Sequence, residues 1–167
     1  MLKVIYSLRQ LDFYSLIRVH EQSILHDGML NYPGESSEQQ RIIAEQEFYN
    51  YLRSFFFEEK SFYALWIEDG QYMSAARLQP YRDGFLLTGL ETMPDVRGKG
   101  YAGMLLASVK EFLKFTGVTN IYSRVEKKNS FSLSAHKTAG FEVISESARY
   151  LDGSVTSNAY TLCLNLQ

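Results

Sequence analysis

The most constraining feature of this chain is a pair of glycines, Gly98 and Gly100, between an apolar, strand-like segment and a run of apolar residues at helical spacing. Because glycine has no side chain, such a pair lets the backbone turn tightly and leaves its N–H groups uncovered. A helix beginning at about Tyr101 adds unpaired N–H groups and the positive end of its dipole. Arg97 and Lys99 add positive charge. We therefore predict a pyrophosphate-binding loop between a strand and a helix.

Other phosphate-binding loops fit this segment less well. Lys99 is followed by Gly100, whereas a P-loop requires a Ser or Thr at that place to bind Mg²⁺. The segment from Gly98 to Gly103 does spell the dinucleotide fingerprint Gly-x-Gly-x-x-Gly, but no long alternation of strands and helices surrounds it. A plain turn is the remaining alternative, and a Gly-Lys-Gly sequence directly before an apolar helix argues against it.

The same segment resembles the Arg/Gln-x-x-Gly-x-Gly/Ala signature of the GNAT superfamily, the acyl-CoA-dependent N-acetyltransferases. The matching residues are Arg97, Gly98, Lys99, Gly100, Tyr101 and Ala102. Upstream, residues 90–94 resemble the splayed fourth strand of that family. Downstream, Asn129 precedes Gly140 and Phe141 by the spacing of the family's second motif. The two motifs stand in the family's order and cover about the C-terminal half of the chain.

Composition sets the broader expectations. A chain of 167 residues is long enough for one domain with a real core, which we place at residues 1–167. The net charge of −2 argues against nucleic acid or an anionic membrane surface as a partner. The single cysteine, Cys163, excludes an intrachain disulfide and lies in an alternating, strand-like tail. No signal peptide, membrane span or metal-ligand spacing is apparent, so we expect a cytoplasmic protein without a metal.

The pattern of turns and periodicities predicts the element order β-α-α-β-β-β-α-β-α-β-β, which is an α+β fold. A first strand covers residues 2–8, and a helix capped by Asp12 continues through Ile24 to a loop that contains Gly28. Ser37 opens the next helix, and Asp69-Gly70 and Asp83-Gly84 are predicted hairpin turns. Two final strands flank Asp152-Gly153. The resemblance implies the same order, arranged as a mixed α/β/α sheet that is central, twisted and mostly antiparallel.

The resemblance also assigns the segment Leu90, Glu91 and Thr92 to the pantetheine arm of CoA, with one backbone N–H directed at the thioester oxygen. Strand alternation places Leu90 and Thr92 on one face and Glu91 on the other. We predict Glu91 as the general base, with its pKa raised by desolvation. The alternatives are a solvated strand carboxylate and a carboxylate that holds the substrate ammonium.

His136 occupies the position where the family's second motif commonly has a Tyr that protonates the leaving thiolate. Asn129, Ser132 and His136 fit an Asn-x-x-Ser-x-x-x-His pattern of similar spacing. An imidazolium has the chemistry of an acid near neutral pH, although His136 also suits a CoA contact or a packing role. The resemblance assigns Asn129 and Ser132 to CoA binding, and capping of the following helix is an equally good role for Asn129.

We therefore expect an N-acetyltransferase that uses acetyl-CoA as co-substrate and acetylates a primary amine of a small molecule or peptide. A non-catalytic acyl-CoA-binding or sensing domain and a plain interaction module remain as alternatives. The acceptor is expected between the first two helices, residues 25–33 and the last hairpin, in a monomer or homodimer. Default core or surface roles are assigned to His20, His26, Arg77 and the aromatic run at Tyr49, Tyr51, Phe55, Phe56 and Phe57.

Overall fold

The computed structural model describes the whole chain, residues 1–167. The helices are α1 (Phe13–Val19), α2 (Glu21–Asn31), α3 (Ser37–Phe55), α4 (Tyr101–Lys114) and α5 (Ser130–Thr138). The strands are β1 (Leu2–Ile5), β2 (Phe62–Glu68), β3 (Gln71–Tyr81), β4 (Gly84–Thr92), β5 (Asn120–Glu126), β6 (Glu142–Ser145), β7 (Ala148–Arg149), β8 (Val155–Thr156) and β9 (Ala159–Asn165). None of the helices combines the length and the apolar character that crossing a bilayer requires.

Seven of the strands form one twisted sheet in the order β1-β2-β3-β4-β5-β9-β6. Only the β4–β5 pair is parallel, and β7 and β8 form a separate ribbon. One face packs on α4 through residues such as Leu105 and Val109, and the other packs on α1 and α3 through residues such as Leu16 and Leu52. The predicted mixed, mostly antiparallel sheet with helices on both faces is therefore confirmed.

The parallel pair is held together for only a short distance. Pairing runs from Gly84 opposite Asn120 to Leu87 opposite Ser123, whereas β4 continues to Thr92 and β5 to Glu126. At Gly84, a Cβ atom would lie 1.9 Å from the Asn120 carbonyl oxygen, so only glycine allows this close approach. Beyond Leu87 the edge of β4 that faces β5 has no strand partner. The sheet is thus open at its centre.

A β-bulge shapes the same end of β4. The register passes from Arg77 opposite Thr88 to Ala75 opposite Glu91, so Gly89 and Leu90 together face one residue of β3. Gly89 has a φ of +56°, as expected for a glycine-containing bulge. Bulges redirect side chains, and here the predicted alternation is confirmed: Leu90 packs toward the α4 core, and Glu91 points to the opposite face.

The structure corrects several predicted boundaries in the N-terminal half. The first strand ends at Ile5, and a 3₁₀ turn follows it. The single predicted helix is two helices that meet at His20, and α2 continues to Asn31 through the predicted loop. Gly28 lies inside α2, where a Cβ would be 2.7 Å from the Gln40 carbonyl oxygen. This glycine serves close packing of α2 on α3 rather than a turn.

Turn and cap positions also differ from some predictions. Ser36 rather than Ser37 caps α3, since its side chain accepts a hydrogen bond from the Gln39 N–H at 3.2 Å. Asp69 and Gly70 have φ values of +48° and +76°, which confirms the predicted type I′ turn. The next turn is shifted by one residue and is centred on Arg82, whose φ is +52°. The two predicted final strands prove to be four, β6 to β9, because the ribbon around Asp152-Gly153 is separate from the main sheet.

Candidate active site

The loop between β4 and α4 leaves its backbone uncovered. Gly98 and Gly100 have φ values of +78° and +87°, and no atom lies within 4 Å of a Cβ placed at either residue. The first hydrogen bond of α4 runs from the Met104 N–H to the Gly100 carbonyl at 3.0 Å, and no side chain caps the helix. No N–H group from Gly98 to Gly103 donates to the protein. Converging unpaired N–H groups at a helix N-terminus bind anions.

Some side chains around this loop bond within the protein, and one remains free for a ligand. The Arg97 Nε donates to the Thr92 carbonyl at 3.1 Å, and its Nη1 donates to the Gln22 side chain. Arg97 thereby fastens the loop to α2 and to the end of β4. The Tyr101 hydroxyl donates to Glu68, whereas Lys99 is exposed. Of the two predicted cations, Lys99 is the one that remains available to a ligand at the loop.

The open edge of β4 lies between this loop and the centre of the sheet. Thr88, the first residue after the paired segment, has a buried Oγ1 without a hydrogen-bond partner. Thr92 is held from the other side, where its hydroxyl contacts the Ser74 Oγ at 3.2 Å. Backbone groups on an unpaired edge accept an extended ligand as if it were a further strand.

Glu91 lies at the centre of a polar cluster on the opposite face. Its Oε1 accepts a hydrogen bond from the His20 Nδ1 at 2.9 Å and lies 2.7 Å from the Ser23 Oγ. The second ring nitrogen of His20 accepts from the Tyr63 hydroxyl at 3.1 Å. Both contacts to Glu91 are made by Oε1, and Oε2 has no partner in the protein. One carboxylate oxygen is thus fixed and the other is free.

The electrostatics of this cluster correct one prediction. Burial by itself raises the pKa of Glu91, but the hydrogen bonds from His20 and Ser23 and the nearby Arg77 outweigh it, so the pKa lies below its usual value. Burial lowers the pKa of His20 despite its contact with Glu91. We therefore describe the pair as a neutral imidazole that donates to an ionised carboxylate. The predicted rise in the Glu91 pKa does not occur.

A cavity of about 320 Å³ has Glu91 in its lining. Its floor contains Glu91, His20 and Arg77, and its walls come from α2 and α3. The exposed rim carries the carboxylates of Asp27 and Glu47. This lining comes from the first helices of the predicted acceptor region, whereas the last hairpin of that region borders a different cavity of about 340 Å³ with Tyr150 and Lys127.

His136 is placed in the core between α5 and β5, with 1% of its surface exposed. Its Nδ1 donates to the Ser132 carbonyl at 2.8 Å, and its Nε2 accepts from the Ser123 hydroxyl at 2.9 Å. Burial lowers the pKa of His136. An acid role would require Nε2 to carry a proton and to exchange its bond with the Ser123 hydroxyl for one to the thiolate. The Asn129 side chain accepts from the Ser132 N–H at 3.0 Å, which confirms its capping role.

The sequence indicated only part of this arrangement. His20 and Glu91 are 71 residues apart, and no local pattern links them. Sequence patterns predict only default core or surface positions for His20 and Arg77, and they give no signal at Ser23 or Tyr63. The structure also gathers no group of three or more His, Cys, Asp or Glu side chains that suits a metal ion.

Sequence and structure comparisons point in one direction. The profile of the Acetyltransferase (GNAT) family matches residues 23–141. A search of curated proteins by sequence gave no match.

Solved structures with the same fold include the ribosomal-protein-S18-alanine N-acetyltransferase from Escherichia coli, at 17% identity and a TM-score of 0.66, covering 100% of this chain and 95% of the other. The PaiA N-acetyltransferase from Thermoplasma acidophilum, in complex with coenzyme A, is 16% identical with a TM-score of 0.67 and 99% coverage of both chains. An IAA acetyltransferase from Bacillus cereus is 16% identical with a TM-score of 0.61, covering 99% of this chain and 98% of the other.

Proposed function

The chain belongs to the GNAT family of acetyltransferases, and from this premise we propose that it transfers an acetyl group from acetyl-CoA to a primary amine of a small molecule or peptide. Family membership supports acyl transfer from an acyl-CoA. The choice of acetyl and of an amine acceptor is our own inference from the site.

The proposal rests on one observation: β4 separates from β5 beyond Leu87, and its unpaired edge lies between two chemically different surfaces. On one side lie the unpaired N–H groups of residues 98–103. On the other lies the free oxygen of Glu91 at the floor of a cavity. The unpaired edge of β4 connects them, so a ligand with an anionic end and an extended arm would bring its far end beside Glu91.

The residues fit acetyl-CoA in this orientation. The N–H groups around Gly98 and Gly100 suit its pyrophosphate, with Lys99 as the adjacent cation. The backbone of Leu90 and Thr92 suits the amides of its pantetheine arm, and Asn129 and Ser132 are further candidates by family resemblance. When bound, acetyl-CoA supplies a thioester whose C–S bond breaks as the amine nitrogen bonds to the acetyl carbon.

Glu91 is our candidate for the base that takes the proton from the amine. Its Oε1 is held by His20 and Ser23, which fixes the direction of the carboxylate. Oε2 is then free to accept a hydrogen bond from an ammonium group in the cavity and to receive its proton. Tyr63 orients His20, since its hydroxyl contacts the second ring nitrogen. The proton that reaches the departing thiolate has no assigned donor, and an acid role for His136 stays a prediction.

The proposal is tested by measuring thiol release from acetyl-CoA with and without a panel of primary amines, together with CoA binding by calorimetry. We expect amine-dependent thiol release and CoA binding. CoA binding without any amine-dependent release would instead support a binding or sensing domain. Absence of both would leave only an interaction module and would refute the proposal.

A further inference from the structure

The cavity beside Glu91 contains a cation that forms no ion pair within the protein. Arg77 is half-buried on β3, its Nε is buried without a hydrogen-bond partner, and it belongs to no ion pair. Buried guanidinium groups are normally paired, because leaving one unpaired forfeits its hydration without compensation. A ligand in the cavity can therefore supply the partner that the protein does not.

The fold holds the Arg77 side chain in this position from two sides. Its guanidinium lies 4.8 Å from the centre of the Tyr51 ring, a cation–π contact. On the other side it lies against the bulge of β4, where a Cβ at Gly89 would be 2.4 Å from the Arg77 Nη2. The glycine at the bulge thus leaves room for the guanidinium. These contacts orient the group, and they supply no hydrogen-bond acceptor.

The floor of the cavity consequently presents two unlike charges that are not bonded to each other. One is the free Oε2 of Glu91, and the other is the guanidinium of Arg77. A simple alkylamine matches the carboxylate alone, and Arg77 would repel its ammonium group. A molecule with an ammonium group and a carboxylate a few bonds apart matches both charges.

From this arrangement, and resting on the proposed acetyltransferase function, we propose that the acceptor is a free amino acid whose amine is directed to Glu91 and whose carboxylate is bound by Arg77. The side chains at the rim of the cavity restrict which amino acids are accepted. Asp27 and Glu47 line the outer part of the cavity, so an acidic side chain is disfavoured and a neutral or basic one is accepted. Arg77 acts here as a specificity-determining residue that touches the acceptor.

The experiment compares matched acceptors in the thiol-release assay: alanine, alaninamide and ethylamine, and likewise lysine, lysinamide and 1,5-diaminopentane. We expect kcat/KM to be about 10- to 100-fold higher for the amino acid than for its amide, the range for one lost charge-assisted interaction. In Arg77→Gln this ratio should fall to near 1, and Arg77→Lys should recover part of it because the charge remains while the planar fork is lost.

Arg53→Gln is the matched control, because Arg53 lies on α3 outside the cavity lining, and it should keep the wild-type ratio. CoA binding by calorimetry shows that each variant is folded. Equal rates with amino acids, amides and amines, or a ratio that survives Arg77→Gln, would overturn the amino-acid assignment while leaving the acetyltransferase in place. Amides preferred over acids would indicate peptide N-termini and would equally overturn it. If none of these amines supports thiol release, the proposed function itself is refuted.

Discussion

Replacing Glu91 by glutamine tests the base with little disturbance of the fold. The carboxylate uses only Oε1 within the protein, where it accepts from His20 at 2.9 Å and lies 2.7 Å from the Ser23 Oγ. The amide oxygen of a glutamine can keep both contacts, and its NH₂ group then replaces the free Oε2. Glu91→Gln therefore removes the proton acceptor and retains the scaffold around it. Glu91→Ala would also leave the buried His20 N–H unpaired.

The expected loss follows from the role. General-base catalysis contributes about 10²- to 10⁴-fold to a rate, which corresponds to about 2.7–5.5 kcal/mol of transition-state stabilisation at 1.36 kcal/mol per tenfold. The cost to stability is smaller, about 1 kcal/mol, because a charged hydrogen-bond acceptor becomes a neutral one. Turnover should therefore fall far more than the free energy of unfolding.

The assay is amine-dependent thiol release across pH, combined with chemical unfolding. Glu91 acts as a base only when its carboxylate is ionised. Because its pKa is lowered, the carboxylate of the wild type should stay ionised from neutral pH down to below about pH 4.3, the ordinary pKa of glutamate. A lowered folded-state pKa stabilises the protein above the unfolded value, and this contribution is lost as the pH falls through the folded pKa. The stability difference between wild type and Glu91→Gln should narrow accordingly in acid.

Glu142→Gln is a suitable control, since Glu142 is an exposed strand carboxylate on β6 at the sheet edge. It should change neither turnover nor its pH dependence. A folded Glu91→Gln variant that retains turnover within about 3-fold of wild type would refute the base role, because this loss is well short of the range above. The amine would then lose its proton to water, and Glu91 would serve only to hold α2 on the sheet.

Three further predictions concern the surroundings of Glu91 and the two motifs. Gly100→Val should abolish CoA binding in calorimetry by filling the anion site, whereas Gly153→Val, at the same φ of +87° in the β7–β8 turn, should not; equal affinities would contradict the anion site. Ser23→Ala removes a hydrogen bond that lowers the Glu91 pKa, so the acid limb of the pH–rate profile should move to higher pH, and an unmoved limb would exclude this coupling. His136→Ala should destabilise the chain by about 3 kcal/mol through the cavity and the unpaired groups that it leaves. If His136 is the acid, the folded variant should also lose the alkaline limb of its pH–rate profile, and a limb that stays in place would contradict the acid role.

Local sequence was sufficient to predict a structural feature wherever the physical cause of that feature is local. The Gly98–Gly100 loop, the Asp69-Gly70 turn and the Asn129 cap depend on backbone conformations and hydrogen bonds within a few residues. Predictions failed where a distant segment decides. Gly28 lies in a segment that is typical of a loop in its composition, yet the structure places it within α2. The absence of a side chain at Gly28 allows Gln40 of the packed helix α3 to approach closely.

The sequence by itself predicted the Gly98–Gly100 loop, the order of most elements and the family, because each is encoded in residues that are close along the chain. Only the tertiary structure decided which polar groups surround Glu91. A bulge at Gly89 and the crossing of α1 and α2 over the sheet bring His20, Arg77 and Glu91 to one cavity. The pKa of Glu91 then reflects partners up to 71 positions away, and its direction is the opposite of what burial alone predicts. Electrostatic environment is a property of three-dimensional neighbours, which no linear pattern in this chain records.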